Sequence, residues 1–415
     1  MKIGISKLAL AAALAGTAVP AAFAQAASDN PFLRGRYVAV PERTQPEYDP
    51  EPIHAGAFNV NASLGIFGEY NDNVFAEDKS VEPNEDTIVR IAPQVDIAST
   101  WSVHQLTAGL SADHSEHLTE DTETVTNYRG YLGGRLDVMR NFALRGQLTG
   151  AQTTEPRWSA ASTGVNPVQY DRIGVEGGAT WRGGRYLLDA AAGQAEENFD
   201  TASNQPYRDM TETFVTGRAS YAISPDVAVF VQGRQSEFDY DLNVPFNRDS
   251  TRRNAQVGAS FELAAPFRGE FAVGYVEEDK DDVALTDFDG LSVNGRVQWF
   301  PTQLTTVTFQ AERSVFDPGL INAATASLTR YGVRADHELR RNIVLFGEIF
   351  GGNADYRDFD RKDDTIDLGF GGAYKLNKRM RVEAAYRFHT QDSSGAFADR
   401  DIDQNVFSVG LRFYP

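Results

Sequence analysis

One periodicity dominates this chain of 415 residues. From Phe58 onward, segments of about ten residues alternate apolar and polar side chains, and turn-forming residues separate them. In 291–299, one set of alternate positions carries Leu291, Val293, Gly295, Val297 and Trp299, and the other carries Ser292, Asn294, Arg296 and Gln298. In 380–389, Met380, Val382, Ala384, Tyr386 and Phe388 alternate with Arg381, Glu383, Ala385, Arg387 and His389. A strand sorts such residues onto two faces, whereas a helix would scatter them around its circumference.

The connections also alternate, between short and long. Short ones fall at Ser99-Thr100, 137–141, Gly183-Gly184, 224–226, 264–266, Pro301-Thr302, 340–342 and 376–378. Long ones cover 71–85, 114–124, 155–168, 199–210, 240–250, 280–287, 316–326, 355–363 and 391–402. Counting segments between them predicts an all-β chain: a transmembrane, antiparallel, up-and-down β-barrel of about eighteen strands over 57–415, with both termini periplasmic. A soluble sandwich would show the same alternation. The arginine-rich polar face, the regular loop rhythm and the aromatics beside the short turns favour the barrel. Those aromatics are Trp101, Phe142, Trp181, Tyr221, Trp299, Phe300 and Tyr374, read as one membrane-interface girdle.

The first 24 residues read as a secretory signal. Lys2 and Lys7 precede the apolar run 8–19, and Ala22-Phe23-Ala24 supplies small residues for cleavage after Ala24 or Ala26. Beyond them no apolar run reaches the ~20 residues that a membrane helix needs, so a membrane location requires a closed barrel. A signal followed by such a barrel predicts the cell outer membrane of a Gram-negative bacterium, with outer-membrane lipid, lipopolysaccharide and the barrel assembly machinery as partners. Residues 25–56 are polar and carry Pro31, Pro41, Pro46, Pro50 and Pro52, which reads as a periplasmic tail with no core of its own.

The chain has no cysteine, which excludes thiol catalysis and disulfides. Its net charge of −19 excludes nucleic acid as a natural partner. The acid sits mostly in the long loops, at 82–86, 116–123, 196–197, 277–282 and 355–364. Those loops read either as solvated surface or as divalent-cation bridges near lipopolysaccharide. The polar strand face is rich in arginine instead. Candidate lumen-lining residues are Arg129, Tyr131, Arg135, Arg145, Arg218, Arg234, Arg296, Gln298, Glu312, Arg381, Glu383, Arg387 and Arg412, with Arg90, Arg334, Asp96, Glu176, Glu262, Glu270 and Asp336 on the same face. Two readings stand side by side. The charges set ion preference in a pore, or Arg and Glu on neighbouring strands simply pair.

No nucleophile-elbow or zincin motif occurs. Asp113-His114 and Glu116-His117 in a predicted external loop form the one short cluster suited to a metal or a base, and it lacks a second ligand set. No catalytic site, metal or cofactor is expected.

Some stretches carry a family likeness. They are Glu69-Tyr70-Asn71-Asp72-Asn73-Val74-Phe75, Trp299-Phe300-Pro301-Thr302 with the strand 304–309, and 355–364 followed by 369–376 and Tyr386-Arg387-Phe388. Together these resemble the putative β-barrel porin 2 family of outer-membrane proteins. The resemblance implies an outer-membrane exit for an exopolysaccharide, with a periplasmic polysaccharide export protein docked beneath. A general diffusion porin and a structural or adhesive surface barrel are the alternatives.

Overall fold

The structure, a computed structural model, describes residues 35–415 apart from 163, 165, 201–204, 244–245 and 264–265. The signal segment, both cleavage positions, residues 25–34 of the tail and the Ala264-Ala265 part of a predicted turn lie outside the described residues.

The alternating segments form strands as their periodicity requires. After a short arm, β1 (Ile53–Ala55), come β2 (Phe58–Asn71), β3 (Asp86–Ser99), β4 (Gln105–His117), β5 (Val125–Met139), β6 (Phe142–Thr154) and β7 (Gln169–Gly183). Next are β8 (Tyr186–Phe199), β9 (Met210–Ser224), β10 (Val227–Tyr240), β11 (Ser250–Glu262), β12 (Phe267–Lys280) and β13 (Phe288–Thr302). The last are β14 (Thr305–Phe316), β15 (Ala326–Arg340), β16 (Ile343–Tyr356), β17 (Lys362–Asn377), β18 (Met380–Ser394) and β19 (Ile402–Phe413). Each strand from β2 onward pairs antiparallel with the next, and β19 returns to β2 from Val406↔Asn71 to Phe413↔Leu64. That last pairing closes an 18-strand barrel and leaves no long edge open. β1 folds back on the overhanging start of β2, with Ile53 opposite Val60.

Burial runs inside out. On β13, apolar Leu291 is 48% exposed whereas polar Ser292, its neighbour, is 1% exposed. Leu132, Leu148, Val175, Val231, Val257, Phe271, Ile349, Phe370 and Val409 are likewise exposed. In water an apolar surface of this kind costs about 25 cal/mol per Å². In a bilayer it is the favourable surface, with every strand polar group paired to a neighbour. No helix among the described residues is long and apolar enough to cross a membrane, and this says nothing about a barrel.

The loop rhythm matches the expectation closely. Short turns join β3–β4, β5–β6 and so on around one end, and the long loops gather at the other. In the two-residue turn between β7 and β8, Gly184 takes φ +56, a conformation that a side chain would strain. Three expectations need correction. Asp113, His114, Glu116 and His117 lie on β4, not in a loop. Polar residues on both faces there had broken the apolar alternation, so the strand looked shorter than it is. Pro301 belongs to the end of β13, and the turn follows it. Phe300 is buried on the opposite face from Trp299, so it is no part of the girdle. Trp101, Trp181, Tyr221, Trp299 and Tyr374 are exposed, and Phe142 is half-buried beside its register partner Trp181.

Candidate functional site

The inner wall is defined by side chains that meet across the barrel. Arg218 of β9 makes two hydrogen bonds to Glu270 of β12, at 2.8 and 2.7 Å, reaching past β10 and β11. Trp158, from the loop after β6, stacks on His389 of β18 with ring centroids 4.4 Å apart. Strand alternation then assigns the rest. The thirteen candidate lumen residues all fall on this face.

Most of them are paired. Arg145 grips Asp189 at 2.5 and 2.8 Å. Arg234 donates to Glu212 at 2.6 Å, and Arg172 reaches the same carboxylate. Arg387 lies 3.4 Å from Glu69, and Arg381 and Arg412 share Glu383 at 3.9 and 3.3 Å. Arg135 bonds Asp137, Tyr131 donates to Asp96 at 2.9 Å, and Arg268 donates to Gln298 at 2.6 Å. Glu312 is half-buried beside Arg330, its register partner. Arg129 and Arg296 differ. Both are exposed on the inner face, and neither has a hydrogen bond or ion pair among the described residues.

Sequence reasoning missed a second layer. Arg218 lies over Phe230 at 3.6 Å, Arg234 over Phe214 at 3.9 Å and Arg334 over Phe346 at 4.2 Å. Each guanidinium covers a ring that is itself flat against a neighbouring strand. At Gly258 an added Cβ would sit 2.4 Å from the Phe230 ring, so that glycine makes the room. The rings fill space, and the cationic planes face the lumen. Apolar residues on both faces of β10 hid this pattern. Between β10 and β13 runs a neutral ladder: Gln232 donates to Gln256 at 2.7 Å, and Gln256 and Asn254 donate to Ser292 at 2.8 and 3.0 Å.

Both mouths carry inward-folded chain. At the long-loop end, Arg157 donates through Nε to Glu123 at 2.8 Å and through Nη1 to the carbonyl of Gly164 at 2.8 Å. Arg208 holds Glu155, and Arg248 holds Asp317, both at 2.5 Å. Burial alone would raise the Asp317 carboxyl, but Arg248 and Arg208 outweigh it and hold it below its ordinary value. Ala160, Ala323, Ala326 and Tyr356 pack together, which ties the loop after β6 to the loop after β14. These acidic loops are therefore an ion-paired assembly as well as a solvated surface.

At the short-turn end, residues 35–51 of the tail form a strap that lines the inner rim from the turn before β10 to the turn after β17. The buried Glu262 carboxylate accepts the backbone N–H groups of Gly35 at 3.0 Å and of Arg36 and Tyr37. Tyr37 stacks on Phe300 at 5.0 Å, and Arg268 donates to the Tyr37 carbonyl at 2.9 Å. Val40 N–H meets the Thr306 hydroxyl at 3.0 Å. Arg43 pairs with Glu338 at 3.0 Å, Asp49 with Lys375 at 2.9 Å, and Glu51 with Lys378. Residues 35–51 thus use the barrel wall as their core.

No chemistry of bond breaking emerges from β4. Asp113 and His117 face inward, while His114 and Glu116 face outward, so alternation splits the candidate cluster. Inward, Asp113 is taken by Arg90 and His117 by Asp86. Among the described residues no group of three His, Asp or Glu is arranged to hold a metal ion.

A closed barrel with an apolar exterior and a polar interior is a membrane-spanning channel fold. The family described as Putative beta-barrel porin 2 matches residues 45–414, and the chain belongs to it. It is thus a porin-like outer-membrane β-barrel. No curated protein matches by sequence. Among solved structures, the outer membrane protein opdK from Pseudomonas aeruginosa is similar at 10% identity and TM-score 0.48, covering 86% of this chain and 99% of that one. A BenF-like porin from Pseudomonas fluorescens Pf-5 is similar at 11% identity and TM-score 0.49, with the same coverage. The copper transporter OprC shows 12% identity and TM-score 0.48, covering 88% of this chain and 82% of that one.

Proposed function

We propose that this barrel is an outer-membrane exit for an exopolysaccharide. The observation that carries the reading is the uncharged stretch of inner wall on β10–β13, where half-buried Gln232 and Asn254 and exposed Asn294 present amides to the lumen, held from behind by the buried Gln256 and Ser292. Amides and hydroxyls both donate and accept, which suits a chain of hydroxyl groups sliding from one partner to the next. The exposed guanidinium of Arg296, next along the wall from the exposed Asn294, adds a contact for carboxylate-bearing sugars. In barrels of this architecture the short turns face the periplasm, so a periplasmic export protein would meet the strap-lined rim.

A diffusion porin for small solutes is the second reading, favoured by the two unpaired arginines alone. Planar-bilayer conductance of the refolded protein, with and without an acidic polysaccharide, separates the two. Polymer-dependent block supports the exit, and a large steady conductance indifferent to polymer supports the porin. In the same assay Arg296→Glu is expected to move ion selectivity toward cations. Unchanged selectivity would remove Arg296 from the conducting path.

A further inference from the structure

The strap's contacts with the wall join residues 190 or more positions apart in sequence. They follow an order: Glu262, Arg268, Phe300, Thr306, Glu338, Lys375 and Lys378 meet residues 35–51 one after another. The inner rim is thus a seat shaped to this one segment, which makes a 3-10 turn at Val40–Glu42 and turns again over 46–49. Glu262 shows this best. A carboxylate 1% exposed, receiving three consecutive backbone N–H groups, recognises main chain in one conformation and is indifferent to side chains. The next contacts, to the Tyr37 carbonyl and the Val40 N–H, are also to main chain.

Covalently, the strap joins the barrel through β1 alone at its C-terminal side. The inward loops at the other mouth are tethered at both ends. The strap therefore has a hinge and the loops do not. The hinge falls just before β1, because β1 is itself paired to β2 and Gly56, at φ +60, only closes that hairpin turn. The strap also covers one arc only. Arg135 and Arg182, on the inner faces of β5 and β7, are exposed at the same end and have no strap residue against them.

We propose that residues 35–51 are a hinged gate, seated on the inner rim by main-chain and ion-pair contacts and leaving it to widen the short-turn mouth. The gate rests on the barrel being a conduit, so its test needs a readout of its own. The chain has no cysteine. A single Val40→Cys therefore reports seating by its rate of reaction with a bulky, charged maleimide. Slow labelling is expected in the full chain. Glu262→Ala removes one charged acceptor, so labelling is expected to quicken about tenfold or more, with a rise in single-channel conductance. Deleting residues 35–46 should give the same high conductance without touching the wall. A Val40→Cys/Thr306→Cys disulfide should hold conductance low, and reductant should return it to the parent level.

Fast labelling in the full chain overturns the gate, because the strap is then not seated. Faster labelling in Glu262→Ala with unchanged conductance, there and in the deletion, also overturns it, because the strap then moves without controlling passage. If every form is silent while the labelling contrast persists, the conduit reading fails and the gate falls with it.

Discussion

At the long-loop mouth, Arg157 and Glu123 are 8% and 5% exposed, and Arg157 also holds the carbonyls of Gly164 and Asn166. At the short-turn mouth, the strap's outermost pair, Arg341 and Glu47, is 72% and 61% exposed. The first mouth is narrowed by loops that grip one another through buried charge. The second is narrowed by a segment that lies on a wall and is gripped by it. Separating a buried pair leaves each charge poorly solvated, whereas exposed partners exchange for water at little cost. The strap also has buried anchors, Glu262 at 1% exposure and Asp49–Lys375 at 10% on each side, so the two closures differ in what grips what, and that difference can be attacked from both sides.

The largest effect is expected at Arg157. Arg157→Ala strands Glu123 in a buried site and should cost the loop assembly about 3–5 kcal/mol. Hydrogen exchange of the backbone around 155–162 reads this directly. Protection should fall there and at 317–326, which packs against the same loop, while the strap at 35–51 keeps its own. Equal loss of protection at both mouths would break the comparison, since the two closures would then be one cooperative unit.

Acid separates them in a second way. Asp317 is held below its ordinary value of 3.8, so its contribution is fully present above that value. It is lost only as pH falls through the depressed value. Protection of the long-loop mouth should be flat from neutral pH down to about pH 4 and decline below that. Asp317→Asn should weaken the acid dependence, leaving the part that Glu123 and Glu155 contribute, and lower protection throughout, since Arg248 then faces a neutral partner. A decline that begins near pH 6 would take the sensitivity away from Asp317.

The strands and turns were legible because a half-lipid, half-water wall imposes strict alternation, and residues such as Leu291 and Ser292 obey it. Where strands rise past the apolar belt that constraint lapses. This is why β4 continues through His114 and His117 although its sequence reads as loop. The strap was opaque for a different reason. A polar segment with several prolines has no period to read, and its place is set by Glu262, Thr306 and Lys375, which nothing local connects to it. The lumen pairs were half legible. Alternation put Arg218 and Glu270 on one face, but their meeting across two strands depends on the curvature of the closed sheet. The Phe230 layer beneath Arg218 was hidden, because an inward phenylalanine looks like a lipid-facing one until the partner Gly258 is known.

The smallest effect is expected at Arg341. Its ion pair with Glu47 lies at 3.4 Å in the open, where solvent screens the attraction and two long side chains lose freedom to make it. Arg341→Ala should change strap seating by no more than about 0.5 kcal/mol, which is at most a little over twofold in the labelling rate of Val40→Cys. That small number carries weight. If the strap is held by its main-chain contacts to Glu262, Arg268 and Thr306, the rim pair is dispensable and high salt should do little more than Arg341→Ala does. If Arg341→Ala instead releases the strap wholesale, seating depends on the exposed charges along the rim. Opening at that mouth would then follow ionic strength, and the contrast with the buried pairs of the long-loop mouth would be greater still.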